Sequence, residues 1–382
     1  MKKLAQKYRI CRKTVMDTSD PGITFDDDGI SNHYWEYHNF IKQNWYQGDD
    51  GRRKLSSMIE KIQKSGKGKD FDCILGLSGG LDSSYMLHKV VTEYNLRPLV
   101  FHVDGGWDTE IAVNNINCLV DKLSLDLYTE VIDWEEMRDF QLAMFKSGVP
   151  HLDVPQDMAF ISVLYKFAKK EGIKYILNGG NISTESVLMP LEILYWPSDM
   201  RQVKSILSKF GTVRMNSYPF TNIYYHKLYL PYIKKLKVFK PLNYIPYKQK
   251  DAVNELIVNY GWKPYSQKHF DSRFTRFFEG YWLPNRFGYD MRRNQFSSLI
   301  LSGQMTRELA LEKLKMPSLS KEEVKEEFIY MSDKLHITLE ELKFYEKMDK
   351  KYYWDYPNSR FIFKIGEKFL SKFAKTRRGG AY

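Results

Sequence analysis

Residues 75–84 read LGLSGGLDSS, and the interpretation of the fold starts there. The stretch closes FDCILGL, a short apolar run from Phe71 that ends in a glycine-rich turn. Behind it, DSSYMLHKVVTEYN carries Met86, Leu87, Val90 and Val91 at helical spacing. A buried strand that enters a helix through such a turn aims backbone N–H groups at the helix start, where an anion is stabilised. Gly79 and Gly80 let the backbone approach a phosphate closely, and Leu81 completes the turn. Ser78, Ser83 and Ser84 offer hydroxyls, and the Asp82 carboxylate offers hard oxygens suited to a magnesium ion carried by a nucleotide. The residues fit neither G-x-x-x-x-G-K-[ST] nor G-x-G-x-x-G, which excludes a Walker loop and a dinucleotide fingerprint. A turn that merely joins strand to helix is the bland alternative. The readable strand and helix on its flanks argue against it.

The pattern repeats on the C-terminal side. RPLVFHVDGG and LDLYTEVID read as second and third strands, and IKYILNGG as a fourth. Helical stretches lie between them, near 109–122, 134–147 and 157–171, after a charged helix near 52–65. Strands alternating with helices predict a parallel α/β sheet whose ligand sits at the strand carboxyl ends. Asp104, after the second strand, is expected near a ribose or metal, and Gly179 and Gly180, after the fourth, beside the nucleotide. The alternation stops near residue 190. The expected organisation is an irregular lobe over 1–50, an α/β domain over 51–190 and a mainly helical region over 191–382, with the basic tail KFLSKFAKTRRGGAY fraying.

Composition narrows the function classes. With 43% hydrophobic and 27% charged residues in 382, the chain is long and apolar enough to bury a sizeable core and is not a disordered one. No apolar run is long enough to span a membrane, and MKKLAQKYRICRK has no apolar stretch that would make it a secretory signal. Three cysteines, Cys11, Cys73 and Cys118, argue for a reducing cytoplasm rather than a disulfide scaffold. Cys73 in its apolar strand and Cys118 in its helix read as inert core. A net charge of +11 with 27 Tyr first suggests nucleic acid held by cations and aromatic faces. The phosphate loop offers a smaller anion instead.

S-G-G-x-D-S-S resembles the PP-loop of the ATP pyrophosphatase superfamily, whose members adenylate a substrate oxygen and release pyrophosphate. Further stretches resemble one of its families, the N-acetyl sugar amidotransferases of bacterial surface-glycan biosynthesis. These are VMDTSDPGITFDDDGISNH (15–33), GLSGGLDSSY (76–85), LNGGNISTES (177–186), HFDSRFTRFFEGYWLPNRFGYDMRR (269–293) and FSSLILSGQMTRELAL (296–311). The resemblance implies ATP- and magnesium-dependent conversion of a sugar N-acetyl group to an acetamidino group, in lipopolysaccharide O-antigen or related synthesis. It also implies a nucleotide-linked sugar, a glutaminase partner and a cyclase-like subunit that channels ammonia. On the same resemblance Asn181 and Glu185 are pocket residues; from the residues alone, GGNISTES is a helix start capped by Ser183 or Thr184. The stretch from His269 to Arg293 is the expected substrate contact. Arg273, Arg276, Arg286 and Arg293 would clamp anionic groups, Arg292 and Asp290 would act at the reacting centre, and Tyr281 and Trp282 would stack on a sugar or base. A pair of helices with solvated arginines and core aromatics is the bland alternative.

Related family members carry C-x-x-C, about sixteen residues, then C-x-x-C, a spacing for structural zinc. The matching positions here are Cys11, Thr14, Ser31 and Tyr34, so zinc is predicted absent, with Tyr34, Trp35, Tyr37 and Phe40 contributing apolar burial instead. His33 and His38 stand nearby. Two other readings are a PP-loop enzyme that modifies tRNA and an inactive PP-loop scaffold of a glycan-synthesis complex. Thiolation needs a reactive cysteine pair, and a scaffold has no need of an intact loop.

Overall fold

The computed structural model describes residues 7–364; the basic tail at 368–382 lies outside the described residues. Five strands form one sheet: β1 (Cys73–Gly76), β2 (Pro98–Asp104), β3 (Leu127–Val131), β4 (Tyr175–Leu177) and β5 (Lys237–Phe239). All neighbours pair in parallel, in the order β3-β2-β1-β4-β5. The chain moves outward from β1 in one direction through β2 and β3, then returns to the other side for β4 and β5. That reversal opens a crevice at the carboxyl ends of β1 and β4.

Cys73, Ile74 and Leu75 of β1 are fully buried because helices cover both faces of the sheet there. Successive side chains point to opposite faces, so Ile74 and Leu75 enter different cores. Ile74 packs with Phe101, Met137, Phe140 and Val163, against helices Trp134–Ser147 and Val154–Lys170. Leu75 packs with Leu55, Met86, Leu119 and Leu256, against helices Gly48–Gly66, Leu81–Thr92, Glu110–Leu123 and Gln249–Tyr260.

The four expected strands and the helices between them are present, but the expected boundary at 190 does not separate two cores. β5 comes from beyond it and completes the sheet through pairs such as Ile176 with Val238. Phe274, Trp282, Phe328 and Leu335 join the same core as Phe101 and Phe140. The region after 190 is therefore built onto the sheet rather than beside it.

The N-terminal lobe is tied down by hydrogen bonds. Cys11 is fully buried, and its Sγ accepts from the N–H of Ser31 at 3.2 Å and of Lys13 at 3.4 Å. Burial raises this thiol, but hydrogen bonds from Ser31 and its neighbours outweigh that and leave it below its ordinary value. His33 bonds Asp20 at 2.8 Å, and the His38 ring lies against Tyr34. Among the described residues no group of three or more His, Cys, Asp or Glu is placed to hold a metal ion. The expected apolar cluster is only partly buried: Tyr37 is inside, whereas Trp35 and Phe40 are exposed. Ties to the C-terminal region hold the lobe instead. The Arg307 guanidinium donates to the carbonyls of Cys11 (2.9 and 3.1 Å) and Thr14 (3.0 Å). Arg293 donates to the Val15 carbonyl at 2.8 Å and pairs with Asp17 at 3.0 Å.

Arg307→Ala removes charged donors from these carbonyls and is expected to lower unfolding stability by about 2 kcal/mol. Limited proteolysis should then cut first within the lobe. An unchanged melting temperature and cleavage pattern would contradict this account.

Candidate active site

The loop after β1 depends on a left-handed residue. Gly79 has φ +78, and a Cβ there would lie 2.6 Å from the carbonyl oxygen of Ala112, so only glycine fits. Its carbonyl accepts from the Tyr265 hydroxyl at 3.1 Å, the Trp262 indole at 3.3 Å and the Asn115 amide at 3.4 Å. Residues far along the chain thus hold the turn. Inside it, Gly80 N–H donates to Ser78 Oγ at 3.3 Å and the Ser83 hydroxyl donates to the Gly80 carbonyl at 3.2 Å.

A cavity of about 770 Å³ opens over this loop, at the carboxyl ends of β1 and β4. Ser78, Gly80, Leu81, Asp82 and Ser83 form one wall; Gly179, Gly180 and Glu185 form another. The segment 268–271 and Arg292 close a third. Across the cavity, Lys268 Nζ lies 2.6 Å from Asp82 Oδ2, 2.7 Å from Glu185 Oε1 and 3.0 Å from Thr184 Oγ1. Tyr247 donates its hydroxyl to the other Asp82 oxygen. Burial works against both charges, yet the two carboxylates hold Lys268 well above its ordinary value and the ammonium holds Glu185 below its own. Burial and Asp82 together keep the Tyr247 hydroxyl protonated and donating.

His269 follows, with φ +67, a conformation uncommon outside glycine. Its Nδ1 lies 3.0 and 3.2 Å from the two oxygens of Glu279. Burial favours the neutral ring, but the Glu279 carboxylate outweighs it and pulls the imidazole up to about 9. Asp271 is pushed up, mainly by burial.

Several expected site residues lie elsewhere. Ser84 is fully buried beneath the loop, and its hydroxyl has no hydrogen-bond partner among the described residues. Asp104 is absent from the cavity wall; its Oδ1 accepts from Gly106 N–H at 2.7 Å and shapes the turn after β2. Asn181 is also off the wall and caps helix Ile182–Glu185 by accepting from Thr184 N–H at 3.0 Å, the role expected of Ser183 or Thr184. Arg292 reaches the wall, but Asp290 does not: both its oxygens are held by Arg292, at 3.0 Å from Nε and 2.6 Å from Nη2.

The four expected substrate arginines also lie off the wall, each taken by a protein acceptor. Arg273 and Arg276 both pair with the fully buried Glu327, and Arg276 also with Glu323 at 2.6 Å. Arg286 is buried and donates to the carbonyls of Glu346 and Asp349. Arg293 holds the N-terminal lobe. Trp282 packs edge-on to Phe145 in the core, and Tyr281 donates to Glu346 at 2.7 Å. His269 and Asp271 reach the cavity from within the stretch 269–293 expected to contact substrate, though neither was given a role, and Lys268, one residue before that stretch, was not singled out.

Lys268→Met leaves Asp82 and Glu185 facing each other without their shared cation. Lower stability at pH 7 is expected, by about 2 kcal/mol. Lys268 holds Glu185 below its ordinary value, a contribution to stability that is lost as pH falls, so the deficit of the variant should shrink toward pH 4. A deficit independent of pH would contradict the clamp.

The C-terminal region matches a described family. Residues 271–370 match the model of "LPS biosynthesis protein WbpG-like, C-terminal domain". An uncharacterized protein of Methanocaldococcus jannaschii is 22% identical over 276 residues, 71% of this chain and 81% of that protein. An NH3-dependent NAD synthetase from Campylobacter jejuni, solved with a nitrate ion, is 17% identical; the match covers 72% of this chain and all of that one, with a TM-score of 0.33. An NMN synthetase from Francisella tularensis is 12% identical, with 80% and 99% covered and a TM-score of 0.30. The parallel α/β assignment rests on the sheet order itself, and the resemblance to the WbpG-like model is confined to residues 271–370.

Proposed function

We propose that the protein is an ATP-dependent, AMP-forming amidotransferase of surface-glycan biosynthesis, which converts a sugar N-acetyl group to an acetamidino group in the cytoplasm. The observation that carries this reading is the glycine-turn loop at the end of β1, facing two carboxylates that already share one cation. Asp82 and Glu185 converge on the Lys268 ammonium, and their hard oxygens suit magnesium accompanying ATP. A side chain at Gly80 would meet Asp271 at 3.0 Å and one at Gly180 would meet Glu185 at 3.1 Å, so both glycines keep the cradle open. Magnesium there would screen the phosphate charge.

The residues present suit chemistry that needs no protein nucleophile. The amide oxygen attacks the α-phosphorus of ATP; a P–O bond forms, the bond to the β-phosphate bridge breaks, and pyrophosphate leaves. The product is an O-adenylated imidate. Ammonia attacks its carbon, the C–O bond breaks with its electrons passing to AMP, and an acetamidinium remains. One proton leaves with pyrophosphate. The loop and Lys268 position the phosphates, and the Arg292–Asp290 pair braces the far wall. Ammonia would come from a glutaminase partner through a cyclase-like subunit, and the acceptor would be a nucleotide-linked N-acetyl sugar.

The +11 charge and the aromatic content favour a tRNA substrate, but the cysteines do not. Cys73, in β1, is fully buried and burial pushes its thiol far up, which removes it from tRNA thiolation. A scaffold leaves the left-handed Gly79 turn and its convergent donors unexplained.

The test is incubation of the purified protein with ATP, magnesium, ammonium and a panel of nucleotide-linked N-acetyl sugars. AMP and pyrophosphate should appear in equal amounts with a sugar in which one oxygen is replaced by NH. Asp82→Ala should lower pyrophosphate release by at least about 100-fold while leaving the circular dichroism spectrum unchanged. Release at the normal rate in this variant would remove Asp82 from the mechanism.

A further inference from the structure

The turn at His269 is one place where a strained backbone, an ionic pair and the cavity wall coincide. Lys268, just before it, is bound to Asp82. Asp271, just after it, lies 3.0 Å from where a Cβ on Gly80 would stand. His269 is thus suspended between two anchors on the phosphate loop. Its left-handed φ of +67 is a conformation that costs free energy for a non-glycine residue and persists where the surroundings enforce it. Glu279 enforces it: the carboxylate is buried in the turn Phe278–Phe287 and takes Nδ1 with both oxygens. Nδ1 is thereby spent, and Nε2 is the nitrogen left for a ligand. The imidazole lines the cavity and is 41% exposed, so it is open to one.

We infer that His269 is a phosphate-binding group of this cavity, aligned by Glu279, with Nε2–H donating to the β- or γ-phosphate oxygens that leave as pyrophosphate. The inference deepens the reading above and rests on its claim that the cavity takes ATP. A charge-assisted donor fixed beside the leaving group stabilises charge as it develops and needs no reorganisation to do so. The Glu279 carboxylate keeps the ring charged near neutral pH, against the opposing charge of neighbouring Lys268 and with the support of Glu185. Glu279 acts through His269 and is a positioning residue.

The experiment is titration calorimetry with inorganic pyrophosphate and with ATP on the full chain, alongside thermal melting. Asn tolerates a left-handed backbone, so His269→Asn removes the charged donor without disturbing the turn. It should weaken pyrophosphate binding about tenfold, and because the buried Glu279 loses its partner the melting temperature should fall, so binding is compared below the melting point of the variant. His269→Lys restores a cation and should recover most of that loss; Glu279→Gln should fall between. In turnover, His269→Asn should lower kcat more than it raises the KM for the sugar. Unchanged pyrophosphate affinity in a folded His269→Asn protein would overturn the inference, as would a loss that His269→Lys fails to reverse while still folded. Wild-type protein that binds neither ATP nor pyrophosphate would overturn the reading of the cavity itself. Wild-type protein that binds both but turns over no sugar would overturn only the proposed reaction.

Discussion

The Lys268 ammonium, held between Asp82 and Glu185, is the contact on which the site depends. It joins the start of the helix after β1, the short helix after β4 and a segment nearly two hundred residues downstream. Two carboxylates so close repel each other in a buried setting, and without a shared cation one of them would bind a proton. The clamp therefore holds the crevice walls together, and the ammonium holds Glu185 below its ordinary value. It also brings His269 and Asp271 over the loop. The same downstream segment locks the loop from behind, because Trp262 and Tyr265 donate to the Gly79 carbonyl.

This arrangement explains why the C-terminal region is not a separate body. The parallel sheet supplies a phosphate-binding turn at the reversal of strand order, but that turn needs donors the sheet does not carry. Apart from Asn115, those donors lie in residues 247–268, and the helices beyond position them. Arg273 and Arg276 on the buried Glu327, and Arg286 on the carbonyls of Glu346 and Asp349, fasten that scaffold. The arginines support the cavity from outside it.

What the sequence made legible follows from which interactions are local. β1, β2 and β4 were readable because each is a buried run with a polar end, β3 because it repeats the strand–helix alternation although it is largely exposed, and the loop because strand, glycine turn and helix are contiguous. β5 was not: it is three residues long, with Lys237 and Val238 exposed, within a stretch rich in Lys and Tyr. The arginines of 273–293 looked like ligands because their partners Glu323, Glu327 and Glu346 arrive only in the tertiary structure. Lys268 was missed for the converse reason. A lone lysine in a polar loop looks solvated until two distant acids are brought against it. In the N-terminal lobe, the lost cysteine pattern was visible, but the tie that holds the lobe, Arg307 on the Cys11 and Thr14 carbonyls, joins residues almost three hundred apart.

The central chemical claim is that the amide oxygen itself is adenylated, and oxygen tracing tests it most directly. The substrate is a nucleotide-linked sugar carrying an 18O-labelled N-acetyl carbonyl, incubated with the protein, ATP and ammonium. The account predicts that the label leaves the sugar and appears in the phosphoryl group of AMP. Label recovered in pyrophosphate or inorganic phosphate, or retained in a sugar that has nonetheless gained nitrogen, would contradict it.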